Sequence, residues 1–96
     1  MRNRYIVSYD ISDPKRLKRM FKMMRGFGDP LQYSVFYCDL SEQEKIMLIS
    51  KITETIHHRE DRVMLVDIGP VKGRAEECVE FLGLSITFET TSATIV

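Results

Sequence analysis

Residues 4–25 read Arg4-Tyr5-Ile6-Val7-Ser8-Tyr9-Asp10-Ile11-Ser12-Asp13-Pro14-Lys15-Arg16-Leu17-Lys18-Arg19-Met20-Phe21-Lys22-Met23-Met24-Arg25, and this stretch decides the fold. Its first eight residues are rich in β-branched and aromatic side chains, the composition of a strand. Ser12-Asp13-Pro14 ends that strand and opens a helix. Asp13 is suited to the N-cap, and Pro14 to the first helical position, where its fixed φ is already helical. Leu17, Met20, Phe21 and Met24 then recur at i, i+3, i+4 and i+7, which predicts one apolar helical stripe ending near Arg25. Gly26 and Gly28 are expected to stop the helix, because glycine tolerates the left-handed conformation after a C-cap.

Working outward, residues 32–39 predict a second strand. Ser41-Glu42-Gln43-Glu44 spells a capping box, with Ser41 as N-cap and Glu44 at N3. The helix behind it is predicted to turn Ile46, Ile49, Ile52 and Ile56 inward and to end near His57-His58. Arg62–Ile68 predicts a third strand broken by Gly69-Pro70. A short helix is expected over 74–82, a fourth strand over 84–88 and a β-branched tail over 91–96. The order implies a single α+β domain over residues 1–96, a ferredoxin-like βαββαβ sandwich with an additional C-terminal strand. A four-stranded sheet leaves the segment 84–96 without a place. It is expected to complete the sheet of a second subunit, which makes the protein a homodimer.

The 96 residues are 44% hydrophobic, ordinary for a globular chain. No apolar run approaches the ~20 residues that span a bilayer, and the N-terminus lacks a signal-peptide pattern. Cys38 and Cys78 form no CxxC, so neither a zinc site nor a disulfide framework is expected. Both are read as buried thiols in a reducing cytoplasm. The net charge is zero but uneven: eight cations face only Asp10 and Asp13 in residues 1–28, a local excess of +6. Such asymmetry points to a face that meets a polyanion.

Asp10 stands at the carboxyl end of the first strand. Two readings are open: a side chain that caps the following turn, or a metal ligand. Magnesium takes one or two carboxylates with water and phosphate oxygens. Two copies of Asp10 facing across a twofold axis would therefore suffice to share one ion. Asp13 reads as a cap. Lys15, Arg16, Lys18, Arg19, Lys22 and Arg25 surround the apolar stripe and suit phosphate contact. Ser34 and Phe36 alternate with Val35 and Tyr37, so one pair faces the helices and the other faces away. The Ser34 side is read as meeting substrate or a second subunit. His57 and His58 suit a helix C-terminus, and the methionines read as core filler.

The run Tyr5–Asp13 followed by Pro14-Lys15-Arg16-Leu17-Lys18-Arg19, with Gly28, Gln32-Tyr33-Ser34-Val35-Phe36 and the Ser41-Glu42 helix start, resembles the small CRISPR-associated endoribonuclease family. That resemblance implies a ferredoxin-like homodimer whose C-terminal strand extends the partner's sheet. It implies that Asp10 is the catalytic, metal-coordinating residue of a magnesium-dependent endonuclease, with manganese as an alternative ion, acting on single-stranded RNA or on DNA. It also implies a non-catalytic role, in which the dimer binds DNA and bridges subunits of the CRISPR spacer-integrase. Lys15, Arg16, Arg19 and Ser34 are the expected nucleic-acid contacts. The acidic stretch from Gly69 to Gly83, with Glu76, Glu77 and Glu80, departs from the family pattern, and no role is carried onto it. An RNA binder of the RRM type is disfavoured: Val63-Met64-Leu65-Val66-Asp67 offers no aromatic residue for base stacking.

Overall fold

The computed structural model describes residues 1–72 and 78–83. Six elements follow in order: β1 (Asn3–Asp10), α1 (Pro14–Met24), β2 (Gly28–Gln32), β3 (Val35–Leu40), α2 (Glu42–Thr55) and β4 (Arg62–Pro70). The sheet order is β2-β3-β1-β4, and every neighbouring pair is antiparallel. This is the split βαβ topology of a ferredoxin-like fold, as expected.

Alternation along β1 sorts its side chains. Tyr5, Val7 and Tyr9 are buried, while Ile6 and Ser8 are half-buried and Asp10 is exposed. The buried set meets Phe36, Cys38 and Leu40 of β3, Met20 and Met24 of α1, and Leu48 and Ile52 of α2. Fully burying side chains of this size contributes about 1.5–3 kcal/mol each. The helices therefore cover one sheet face, and the other is left to Ile6, Ser8, Asp10 and their cross-strand neighbours.

Both predicted caps form. The Asp13 carboxylate accepts from Arg16 N at 2.9 Å, with Pro14 opening α1. At α2 the Ser41 hydroxyl accepts from Glu44 N at 3.2 Å, and the Glu44 carboxylate accepts from Ser41 N at 2.9 Å. The inward line of α2 differs from the isoleucine pattern. Leu48 and Ile52 are buried, whereas Ile46, Met47 and Ile49 are exposed. Leu48, Ile52 and Ile56 follow four-residue spacing along the core line. Ile46 and Ile49 sit two residues before and one after Leu48, at about 100° per residue, which rotates both off it.

The predicted strand over 32–39 is two strands. A two-residue turn, Tyr33-Ser34, separates β2 from β3, with Gln32 paired to Val35. Neither turn residue has positive φ, so the glycine that usually betrays a tight hairpin is not required. Gly28 does not stop α1 but opens β2, where a methyl group would overlap the Tyr37 carbonyl and reach Cys38 Sγ at 2.7 Å. Nor does Gly26 form a left-handed cap. The helix runs out through αR Arg25 and two short turns, Gly26 N to Met23 O at 3.0 Å and Phe27 N to Met24 O at 2.8 Å.

Gly69-Pro70 does not break β4, because Pro70 pairs with Asn3 beyond an irregularity in the ladder. Gly69 takes φ +99°, and the Asp67 carboxylate accepts from Gly69 N at 2.9 Å and from Asn3 Nδ2 at 3.1 Å. β4 is an edge strand, where proline is tolerated. Of the predicted helix over 74–82, residues 78–82 hold neither helix nor strand. Its remainder, with the strands expected over 84–88 and 91–96, lies outside the described residues. No disulfide joins the cysteines. Cys38 is buried as expected, with burial pushing its thiol up to about 12, but Cys78 is exposed.

Candidate functional site

Paired residues in an antiparallel ladder share a face, so the register assembles the uncovered side of the sheet. Asp10 pairs with Arg62, Ser8 with Met64 and Val35, and Ile6 with Val66 and Tyr37. Met64 is 55% exposed and Val66 is 39% exposed. No described helix packs on them. Asp10 thus ends a β1 line that is otherwise Arg4, Ile6 and Ser8, with an exposed arginine directly across.

Asp10 is exposed, and its side chain has no hydrogen bond or ion pair with any described residue. It does not cap the following turn, since Asp13 caps α1. A carboxylate left free at a strand end has the donor chemistry of a hard cation ligand. No three metal-ligating side chains cluster among the described residues. Among the described residues, one chain therefore offers a single carboxylate at this strand end. This suits magnesium, which needs one or two such groups with water and phosphate oxygens, better than it suits a metal held in a closed protein cage.

Next to Arg62 in sequence, a second carboxylate is fully engaged. Asp61 lies in the α2–β4 loop with its side chain sealed from solvent. It accepts from Arg16 Nε at 2.8 Å and Nη2 at 3.1 Å, from His57 N at 2.8 Å and from Ser12 N at 3.2 Å. The hydrogen-bonded Arg16 guanidinium holds the Asp61 carboxyl well below the usual range. Glu60 takes a further contact from Arg16 at 3.2 Å. The segment immediately after Asp10 is thereby fastened to the loop that leads into Arg62. Arg16 is turned to its own chain by this arrangement. Arg2 and Arg4 are occupied similarly: Arg2 bonds Asp39 and Glu44 at 2.8 Å each, and Arg4 lies 4.8 Å over the Tyr37 ring.

On α1, Lys15, Lys18, Arg19 and Lys22 are exposed and without an ion pair to a described residue. Ser34 comes to the same corner by its backbone, its carbonyl accepting from Tyr9 N at 3.1 Å. Beside it Tyr33 stacks on Phe21, with ring centroids 6.0 Å apart. Phe36, the other member of the alternating pair with Ser34, faces the helices and is wholly buried. Tyr9, stacked on Phe36, hides a hydroxyl with no partner among the described residues, and burial pushes that phenol up to about 12.

The structure thus brings Asp10 and Ser34 to one corner, with Lys15 and Arg19 on the adjoining helix. Arg16 it directs inward. Sequence reasoning missed three residues here. Asp61 sits in the run His57-His58-Arg59-Glu60-Asp61 with nothing to mark it as buried. Arg62 gains its place only from register, and Tyr33 from a turn that lacks glycine.

A family model described as CRISPR associated protein Cas2 matches residues 2–72. The chain is 46% identical over 72 residues to "CRISPR-associated endoribonuclease Cas2" of Geobacter sulfurreducens, covering 75% of this chain and 76% of that one. It is 41% identical over 86 residues to "CRISPR-associated endoribonuclease Cas2 1" of Rhodospirillum rubrum, covering 90% and 81%. Among solved structures it is similar to Streptococcus pyogenes Cas2, with a TM-score of 0.73 and 28% identity over 83% of this chain and 99% of that one. A hypothetical protein of Thermus thermophilus superposes with a TM-score of 0.75 and 28% identity, covering 88% and 94%.

Proposed function

This chain belongs to the Cas2 family of CRISPR-associated proteins, and we propose that it is a cation-dependent endonuclease of CRISPR adaptation that cleaves phosphodiester bonds in RNA or DNA as a cytoplasmic homodimer. One observation carries this reading: Asp10 is an unpartnered carboxylate on the same uncovered sheet face as Met64 and Val66. Covering those side chains with a second copy removes apolar surface from water at about 25 cal/mol per Å². A twofold axis through that face also brings the two Asp10 tips toward each other. The names of the relatives support the reaction class.

The paired Asp10 carboxylates would hold magnesium, or manganese, which supplies Lewis-acid activation of water and neutralises charge on the phosphodiester. The chain's own groups do the rest. Lys15 and Arg19 hold the phosphate backbone without regard to sequence. Arg62, exposed across the ladder from Asp10, adds a further cation for the phosphate backbone. Ser34 lines the approach. Arg16 acts through Asp61, fixing the turn after Asp10, and is a positioning residue more than a phosphate contact.

The test is cleavage of single-stranded RNA and duplex DNA with magnesium, manganese or chelator, comparing wild type with Asp10→Ala. Cleavage that needs the cation and disappears in the variant supports the proposal. Cleavage by Asp10→Ala at the wild-type rate overturns it. The free cations on α1 also favour a second reading, a non-catalytic adaptor that binds DNA and bridges spacer-integrase subunits. In that case Asp10→Ala leaves spacer acquisition intact, whereas Lys15→Glu with Arg19→Glu lowers it.

A further inference from the structure

We propose that Tyr33 is a stacking platform for an unpaired nucleobase, which makes single-stranded nucleic acid the preferred ligand of this corner. The inference rests on the nucleic-acid reading above and narrows its substrate class. Tyr33 is 68% exposed although it is a large aromatic residue in a two-residue turn. Its ring is not loose. It lies on Phe21 at 6.0 Å with an interplanar angle of 20°, and Phe21 is braced edge-on by buried Phe36 at 5.3 Å. One face of Tyr33 is thus supported from the core.

Cations flank this stack. Lys18 and Arg25 lie three residues before and four after Phe21, on the same side of α1, and the Arg25 guanidinium is 6.0 Å over the Phe21 ring. A rigid exposed aromatic ring bordered by Lys and Arg is the arrangement that holds single strands: bases stack on the ring, and cations follow the backbone. A base inside a duplex has no face to offer such a ring. The turn is also tied to the cleavage corner, because the Ser34 carbonyl accepts from Tyr9 N at 3.1 Å, next to Asp10. The platform therefore adjoins the β1 tip.

The experiment measures binding of a short labelled single-stranded RNA, the matching single-stranded DNA and the matching duplex, in chelator to prevent cleavage. Wild type is compared with Tyr33→Ala, Tyr33→Phe and Tyr33→Leu. Tyr33→Ala should lose about 5- to 100-fold in single-strand affinity, Tyr33→Leu should fall with it, and Tyr33→Phe should bind as wild type. Duplex affinity should not change. Wild-type single-strand affinity in Tyr33→Ala overturns the platform, as does equal loss in Tyr33→Phe, which would assign the effect to the hydroxyl. If the platform fails while Asp10-dependent cleavage persists, the nuclease reading stands. If cleavage proves independent of Asp10 while the Tyr33 difference holds, the platform stands alone.

Discussion

The two faces of the sheet follow different rules. On the helix-covered face nearly every demanding group is met: Asp13 caps α1, Ser41 and Glu44 cap α2, and Phe36 and Val7 are wholly buried opposite each other. On the uncovered face Met64 and Val66 stand in solvent, and Asp10 has no described partner. Where partners are present, substitution should cost stability and leave chemistry alone. Where they are missing, it should cost association or activity and leave the fold alone. An exposed carboxylate without a partner contributes little to folding, so its placement calls for another explanation.

The largest expected effect lies at the tip of the uncovered face. Asp10→Ala should reduce cation-dependent cleavage by at least about 100-fold, since removing even groups that only orient metal ligands costs 10–100-fold. Its thermal unfolding midpoint should match wild type. A large fall in that midpoint would place Asp10 among the structural carboxylates and dissolve the contrast. Next comes the apolar part of the same face. Met64→Asp should weaken self-association by about 30-fold or more, because it buries a charge without a partner. Sedimentation of the variant as a folded monomer would sharpen the comparison, and a dimer of wild-type strength would break it.

Legibility in the sequence also divides by face. What depends on local rules was readable: Asp13-Pro14 and the Ser41–Glu44 box form as the residue types demand. What depends on long-range pairing was not readable. Sequence alone presents Arg16 as a phosphate contact and gives no sign that Asp61, 45 residues away, binds its guanidinium. The Tyr33-Ser34 turn was invisible because its residues keep negative φ and need no glycine. Gly28 reads as a helix stop from sequence, because only the approach of β3 reveals why a side chain is excluded. At α2 the isoleucines drew the inward line through Ile46 and Ile49, whereas the core selected Leu48 and Ile52.

On the covered side the larger effect belongs to Gly28→Ala. The added methyl group meets the backbone carbonyl of Tyr37 as well as Cys38 Sγ. Backbone cannot swing aside as a flexible side chain does, so β2 must shift away from β3. Overpacking of this kind costs about 1–3 kcal/mol, read as a lower midpoint in urea. Metal-dependent cleavage per folded molecule should be nearly unchanged. Loss of activity with full stability would mean that the hairpin positions the site more finely than the contrast allows.

The smallest effect tests the caps. Ser41→Ala removes the hydroxyl that accepts from Glu44 N and should cost about 1 kcal/mol. Its pH dependence identifies the cause. The bond from Ser41 N holds the Glu44 carboxyl below its ordinary value, with Arg2 adding to the shift. Unfolded Glu44 therefore binds its proton at a higher pH than the folded form. The stability it contributes is fully present above about pH 4.3, the unfolded value, and is lost as pH falls through the lower folded value. Glu44→Gln should thus destabilise the protein at neutral pH, with the deficit shrinking as acid protonates Glu44 in wild type. A deficit constant from neutral pH down to well below pH 4 would show that ionised Glu44 does not stabilise this end of α2. The uncovered face would then not be the only one to carry a carboxylate without a structural task.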